Sequence, residues 1–339
     1  MSTAIKAQPP ATSQSMKSTW RQLDRSEWSM GHWFYELLGV HPVALEQSVP
    51  VNRKTDAVRY VPEWQMNRWI LAHALAPIAA HHFYVMYAGS NLNRLQIFVF
   101  YGVALSATAI RRSILLRNIG HIVGFLDGDQ HERDGVPDNG VYKVLRSITG
   151  GISVRIGLMV FLSYCSDQTP EELPWLVLLP EISLYGIVLD FWFYWYHRLM
   201  HETDWLWKYH RTHHLTKHPN PLLSLYADLE QEIMDVAGVP ILTYATMKAA
   251  GFPMGFYEWW ICHQYVFFSE LAGHSGLRLF NGPPSPVRWI LVALGWELLV
   301  EDHDLHHRYG WKASGNYAVT ALGGQANYPM GSPQLYSAA

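Results

Sequence analysis

The sequence predicts an all-α protein: polytopic membrane helices carrying a cytosolic, histidine-rich helical cap. Three observations lead there. Aromatic residues make up 14% of the chain, with 15 Trp and 19 Tyr, while charged residues make up only 16%, against roughly 25% in ordinary soluble domains. Such Trp and Tyr enrichment marks the belts where a membrane meets water. Apolar stretches recur at 68–88, 95–110, 152–165, 174–196, 233–249 and 255–273. Histidines, finally, gather into three short clusters in the C-terminal half. The mean hydropathy of −0.03 leaves a sizeable part of the chain in water. A net charge of −3 gives no sign of nucleic-acid binding. Two cysteines, Cys165 and Cys262, supply neither a disulfide framework nor a thiolate metal site.

Residues 1–60 read as a polar tail and lead-in. The first 18 residues are rich in Ser, Thr, Gln, Ala and Pro without an apolar core, which predicts a disordered tail and not a signal peptide; targeting then falls to an internal span. Residues 61–150 read as a pair of membrane segments with a loop, 151–325 as the histidine-bearing domain and 326–339 as a C-terminal tail. A span takes roughly 20 apolar residues, so 68–88 and 174–196 are long enough. The segment 95–110 must continue past Arg111 to cross. The segment 152–165 is short and carries Arg155, which predicts a re-entrant or tilted helix. The run 290–300 includes Glu297 and predicts a buried helix. The Asp- and Gly-rich stretch 127–140 lacks the closing glutamate of a calcium loop and reads as a solvated connection.

Topology can be argued from parity. Between His214 and His274 lie two apolar segments joined by Ala249-Ala250-Gly251-Phe252-Pro253-Met254-Gly255, a turn by its Gly and Pro content. Two crossings return the chain to the side it left, so all the histidine clusters share one face. Arg111, Arg112, Arg117, Lys143, Arg146, Arg198, Lys208, Arg211 and Lys217 fall on that face, and the opposite connection, 166–173, is acidic. Cations favour the cytoplasmic side, so the clusters are expected to face the cytosol, with the endoplasmic reticulum as the expected membrane.

The clusters are His197-Arg-Leu-Met-His201, His210-Arg-Thr-His213-His214 and His303-Asp-Leu-His306-His307. Neighbours three and four apart project from one face of a helix, so each cluster is a claw of nitrogen donors. One such pair alone is as readily structural as ligating; three recurrences are not. Imidazole suits iron, copper, zinc and nickel. The three clusters hold more donors than one ion can use, which points to two metal ions side by side.

The order H-x3-H, H-x2-H-H, H-x2-H-H resembles the fatty acid hydroxylase superfamily, which includes sterol desaturases and methyl-sterol oxidases. Asp190 with the aromatic run 191–196, Ala272-Gly273-His274-Ser275-Gly276 and Gly315-Asn316-Tyr317 add to the resemblance, which covers roughly residues 150–320. It implies a membrane-embedded non-haem di-iron oxygenase that uses dioxygen to hydroxylate an unactivated C–H bond of a lipid, sterol or other hydrophobic metabolite, with desaturation as the alternative. It further implies His274 as a ninth ligand and 151–325 as the catalytic domain. Electrons would come from a cytochrome b5-type carrier and its reductase. Trp192, Trp195 and Trp205 are candidates for the wall of the substrate cleft. Two departures stand out: Asp228 where sterol-modifying members carry a histidine, and Glu270 where 2-hydroxylases pair a histidine with the one matching His274. A carboxylate there could ligate or orient a ligand.

Other chemistries drop out on spacing. His201-Glu202 begins H-E-x-x-H, but Trp205 replaces the second histidine. The Glu-x-x-His pairs of ferritin-type sites, a phosphate-binding loop and haem or flavin motifs do not occur. A non-catalytic protein holding zinc is the reading from another class; structural zinc is four-coordinate and closed, which fits so many histidines poorly. His32, His41, His73, His121 and His131 read as background. His81 and His82, inside an apolar stretch, predict a bundle-facing hydrogen bond. His218 is a candidate support for the second cluster, and His263 lies three turns too deep to share an ion with His274.

Overall fold

The computed structural model describes residues 16–53, 55–126, 128, 135–293, 299–309 and 336–338. Glu297, His131, half of the 127–140 stretch, Gly315-Asn316-Tyr317 and most of both tails lie outside the described residues. The described chain is helical apart from two three-residue strands, β1 (Val58–Tyr60) and β2 (Tyr336–Ala338), which pair in parallel.

Helix α1 (Met30–Leu38) precedes a bundle of α2 (Glu63–Ala88), α3 (Arg94–Val123), α4 (Val141–Ser163) and α5 (Trp175–Glu202). Three of these, α3, α4 and α5, are long and apolar enough to cross a membrane. α2 has 26 residues, ample length for the span expected at 68–88, but its composition is too polar to join those three. His81, buried within α2, bonds Asn91 at 2.8 Å, the bundle-facing contact expected there. α3 does run past Arg111. A reciprocal Asn93–Gln96 cap starts it, and Gly124, at φ +81, ends it.

α4 corrects the expectation of a re-entrant segment at 152–165. It is a continuous helix of 23 residues, and Arg155 is matched by Glu270 at 2.7 Å instead of breaking the helix. Arg112 on α3 is fully buried, its guanidinium 4.9–5.2 Å from the ring centres of Trp69, Phe267 and Phe268. Both cations enter the bundle through partners, as charges in an apolar medium must.

After α5 the chain turns through α6 (Asp204–His210). A second hairpin follows: α7 (Leu229–Ile233), a π-helical turn (Met234–Gly238) and α8 (Val239–Ala249) descend, and α9 (Phe256–Gly273) returns. The reversal uses Gly251 at φ +90 and Met254 at φ +44. α9 is buried on nearly every face and packs at the centre of the main core, with Trp259, Trp260 and Phe256 each about 1% exposed or less. Its buried polar residues, Glu258, His263 and Gln264 among them, enter the core with it. The two apolar segments on which the parity argument rests form a helical hairpin, though neither is among the helices long and apolar enough to cross a membrane, and the C-terminal ends of α5 and α9 meet at one end of the bundle.

α10 (Arg288–Ala293) and α11 (Val300–Tyr309) complete the described chain. Of the run 290–300, where a buried helix was expected, 294–298 lie outside the described residues; Leu291 and Val300 are buried, while Ile290 and Val292 are 37% and 48% exposed. The N-terminal segment wraps the end of the bundle that carries the histidines. Trp20 donates to the Val136 carbonyl at 2.9 Å and Tyr35 to that of Val141 at 2.7 Å, forming a smaller core with Leu222, Leu223 and Tyr226.

The hairpin geometry makes the two ends of the bundle separately addressable. Cys165 is exposed at the far end, and Lys208 is exposed beside the histidines. In sealed vesicles a membrane-impermeant maleimide is expected to label only one of Cys165 and a Lys208→Cys substitution. Labelling of both before lysis would overturn the parity of the hairpins.

Candidate metal centre

The end of α5 carries His197 and His201 one turn apart on one face. Thr203 breaks the helix, and α6 folds back so that His210, its last residue, meets them: His197 Nε2 lies 3.0 Å from His210 Nε2 and 3.2 Å from His201 Nε2. His213 and His214 sit in the tight turn that follows. Being adjacent, they point apart. His214 Nε2 joins the first group, 3.1 Å from both His201 and His210, whereas His213 Nε2 lies 3.5 Å from His274 Nε2. α11 splits the opposite way. His306 Nε2 reaches His197 Nε2 at 3.1 Å, while His303 Nε2 lies 3.1 Å from His274 Nε2 and the His307 ring centre 4.5 Å from that of His213.

The sequence boxes thus do not map one to one onto the spatial groups. His197, His201, His210, His214 and His306 form a group of five whose donor atoms lie within 4.8 Å of one another; His213, His274 and His307 form a second such group. His303 joins the second through His274, outside the mutual limit. All nine expected residues come together, and all but His201 are buried.

The donor set fits metal ions. His210 Nδ1 faces the Gln231 Oε1 carbonyl at 3.0 Å, His274 Nδ1 faces the Glu270 carbonyl at 2.7 Å, and His307 Nδ1 faces the Thr216 carbonyl at 3.0 Å. An oxygen that only accepts fixes the imidazole proton on Nδ1, so each Nε2 turns a bare lone pair inward; that of His307 has no hydrogen-bond partner. Bare lone pairs cannot bond one another at 3 Å. They suit a cation: imidazole–metal bonds of about 2.1 Å at right angles put neighbouring donor nitrogens about 3.0 Å apart. Burial, then mutual repulsion among the rings, holds His210, His214, His303, His306 and His307 well below the usual imidazole range, and His213 likewise.

The remaining residues singled out by sequence fall elsewhere. Asp228 lies 3.6 Å from Lys143 Nζ and joins neither group. Glu270 orients His274 through its backbone carbonyl, while its carboxylate holds Arg155. His218 bonds the buried Asp304 at 3.1 Å and so braces α11, and His263 stacks on Phe267. His32 accepts from Ser29 N at 2.9 Å, His41 pairs with Glu36 at 2.9 Å, and His121 accepts from Ala44 N at 3.0 Å. His73 lies 3.0 Å from Arg111. Gln231 and Thr216 were missed, because nothing in their local spacing announces a partner so far along the chain.

A cavity of about 610 Å³ opens between α2, α3 and α9, with Trp69, Leu116, Ile119 and Phe268 among its mostly apolar walls. His274 and His303 line it, and no member of the five-imidazole group does. This corrects the expected cleft wall: Trp195 and Trp205 are 47% and 64% exposed on the outer surface, and Trp192 bonds Thr246 at 3.0 Å away from the cavity.

Comparison with known proteins decides the family. A fatty acid hydroxylase family model matches residues 182–323. Fatty acid hydroxylase vlmA of a Lecanicillium species is 38% identical over 283 residues, covering 79% of this chain and 77% of that protein. The chain belongs to the fatty acid hydroxylase family. More distant members resemble it over less of their length: a rice very-long-chain aldehyde decarbonylase, GL1-11, is 31% identical over 52% of this chain and 64% of its own. Methylsterol monooxygenase 2-1 of Arabidopsis thaliana is 31% identical over 43% of this chain and 53% of its own. No solved structure matches the chain.

The low imidazole pKa values set a pH dependence for the metal-free protein. Unfolded imidazoles take up protons as pH falls through about 6.5, and the folded ones resist, so the unfolded state binds more protons and stability falls with falling pH. The melting temperature is expected to be flat above about pH 7.5 and to drop between about pH 7 and 5. A flat profile through that window would show the rings to be charged or exposed.

Proposed function

We propose that this chain is a membrane-bound oxidoreductase that uses dioxygen and two iron ions to hydroxylate an unactivated C–H bond of a lipid or other hydrophobic substrate. The observation that carries this is the junction of an apolar cavity with convergent bare imidazole nitrogens. His197, His201, His210, His214 and His306 would hold one iron, and His213, His274, His303 and His307 the other. Iron with imidazole ligands alone keeps its positive charge uncompensated and supplies the one-electron and dioxygen chemistry.

The protein's own part is positioning and exclusion. The walls of the cavity hold an apolar substrate by burial, at roughly 25 cal/mol per Å² of apolar surface removed from water, and offer few polar groups to compete for it. His274 and His303 mark the end where the reacting carbon belongs. Gln231, Thr216 and the Glu270 carbonyl keep their imidazoles in the tautomer a metal needs. Two of the relatives, a fatty acid hydroxylase and a methylsterol monooxygenase, are lipid oxygenases by name, which supports this substrate class. The cytosol-facing site in the endoplasmic reticulum and a cytochrome b5-type electron donor with its reductase belong to the same proposal. Lys208 and Arg211 are exposed on the helix and turn that carry the second box, where an acidic carrier would dock close to the first group.

His201→Ala, His214→Ala, His274→Ala and His307→Ala are each expected to abolish turnover in folded protein, with His32→Ala as the tolerant control. Near-normal activity in two of the four would remove the assignment. With isotopically labelled dioxygen, the product is expected to carry one labelled oxygen atom. A product two hydrogens lighter and without label would make the enzyme a desaturase.

A further inference from the structure

Four polar residues with little solvent contact lie between the two imidazole groups without belonging to either. Gln231 is 4% exposed and Arg155 7%, the Glu270 side chain is 16% exposed, and Asp235 Oδ1 is shut off from solvent. They come from four elements: Gln231 from α7, Asp235 from the π-helical turn after it, Arg155 from α4, and Glu270 from α9.

Their hydrogen bonds form two segments, which meet through charge alone at Asp235. His210 of the five-imidazole group donates from Nδ1 to Gln231 Oε1 at 3.0 Å, and Gln231 Nε2 donates to Asp235 Oδ2 at 3.1 Å. Asp235 lies within the electrostatic reach of both Arg155 and Glu270. Arg155 Nη2 donates to Glu270 Oε2 at 2.7 Å, and the carbonyl of the same Glu270 accepts from His274 Nδ1 at 2.7 Å. Together the segments run from the outer nitrogen of one group to the outer nitrogen of the other.

Its local structure is also unusual. A π-helical turn adds a residue to the helical repeat and is uncommon outside functional sites. Here it falls at Met234–Gly238, three residues after Gln231, and contains Asp235, to which Gln231 is bonded. Two carboxylates and a guanidinium held in a bundle core are expensive, and a hydrocarbon pair would serve packing as well.

We propose that Gln231, Asp235, Arg155 and Glu270 form one positioning network that couples the two imidazole groups by orienting His210 and His274 together. The proposal rests on reading those groups as two metal sites. Rotation of either ring shifts the shared network, so a change at one end is felt at the other. Gln231, Asp235 and Arg155 line no part of the cavity, whereas Glu270 also borders it; the four act through the histidines they hold.

The test uses full-length protein in detergent, stripped of metal and titrated with cobalt(II) alone, reading d–d absorption and the affinity of each equivalent. Wild type is expected to bind two equivalents with distinguishable spectra. Failure to bind two would sink the two-metal reading, and this proposal with it, before any variant is compared. Gln231→Ala removes no charge and touches only the His210 end. It is expected to weaken both equivalents by roughly 10–100-fold, the usual cost of losing a partner behind a metal ligand, and to shift the bands of both. Arg155→Met should act on both in the same way, Arg155→Lys should recover part of the loss, and Gln231→Ala with Arg155→Met should cost less than the sum of the two. If Arg155→Met does not fold, Gln231→Ala alone still decides. Variants that fold and perturb only the nearer equivalent, with additive double effects, or that bind cobalt as wild type does, would overturn the coupling. A merely structural role would lower the melting temperature and leave the far spectrum unmoved.

Discussion

So many imidazoles can share so small a volume only if they stay neutral and aim bare nitrogens at common points. Everything around them enforces that condition. Burial removes the water that would stabilise the protonated rings. Fixed carbonyl oxygens on Gln231, Glu270 and Thr216 claim the Nδ1 protons of His210, His274 and His307, so the tautomer is set by backbone and side-chain geometry before any ion arrives. The same requirement brings three separated stretches of chain to one end of the bundle, which forces an even number of crossings between the second box and His274.

The bundle answers with an inversion of the usual pattern. Its most buried helix, α9, is central and carries polar residues among its aromatic ones, with Glu270 and His274 at its last turn and C-terminal cap. Around it α3, α4 and α5 expose apolar faces, Val103, Phe161 and Leu176 among them at 65%, 75% and 95%, as helices meeting lipid should. Charges inside the bundle are admitted only with compensation: Arg155 through Glu270, Arg112 through three aromatic faces. The N-terminal segment adds a second core on the histidine-bearing end, where Trp20 and Tyr35 pack on the loop that follows the second box. That loop carries Tyr226 on to α7 and Gln231, so the tail-side core bears on the imidazoles indirectly.

Much of this was legible in the sequence because helical periodicity and histidine spacing are local signals. The three boxes, the hairpin of 233–249 and 255–273 and the bundle-facing role of His81 follow from spacing, apolar pattern and turn composition, whereas His274 was marked by the family resemblance of its Gly-His-Ser-Gly setting. What failed was non-local. Arg155 reads as an obstacle to a span until Glu270, 115 residues on, is known to meet it. The cleft wall was placed on the aromatic run before the first box because aromatic density was the visible signal. The cavity is instead assembled from α2, α3 and α9, each contributing side chains with no distinguishing pattern. The way boxes divide between the groups was legible in principle, since consecutive helical residues point about 100° apart, from the repeat of 3.6 residues per turn, but which partner each would find was not.

That division gives the two groups unequal character. The five-imidazole group surrounds its centre with donors 3.0–3.2 Å apart and has no member on the cavity. The other group is looser, with His213 3.5 Å from His274, and presents His274 and His303 to the apolar space. Catalytic metal sites keep an open position where structural ones are closed. If both groups hold iron, the crowded one is suited to hold charge and pass electrons, and the looser one to meet dioxygen and substrate. The polar surface at Lys208 and Arg211 lies beside the first and the apolar cavity beside the second, so electrons and substrate can approach from different sides without competing for the same opening.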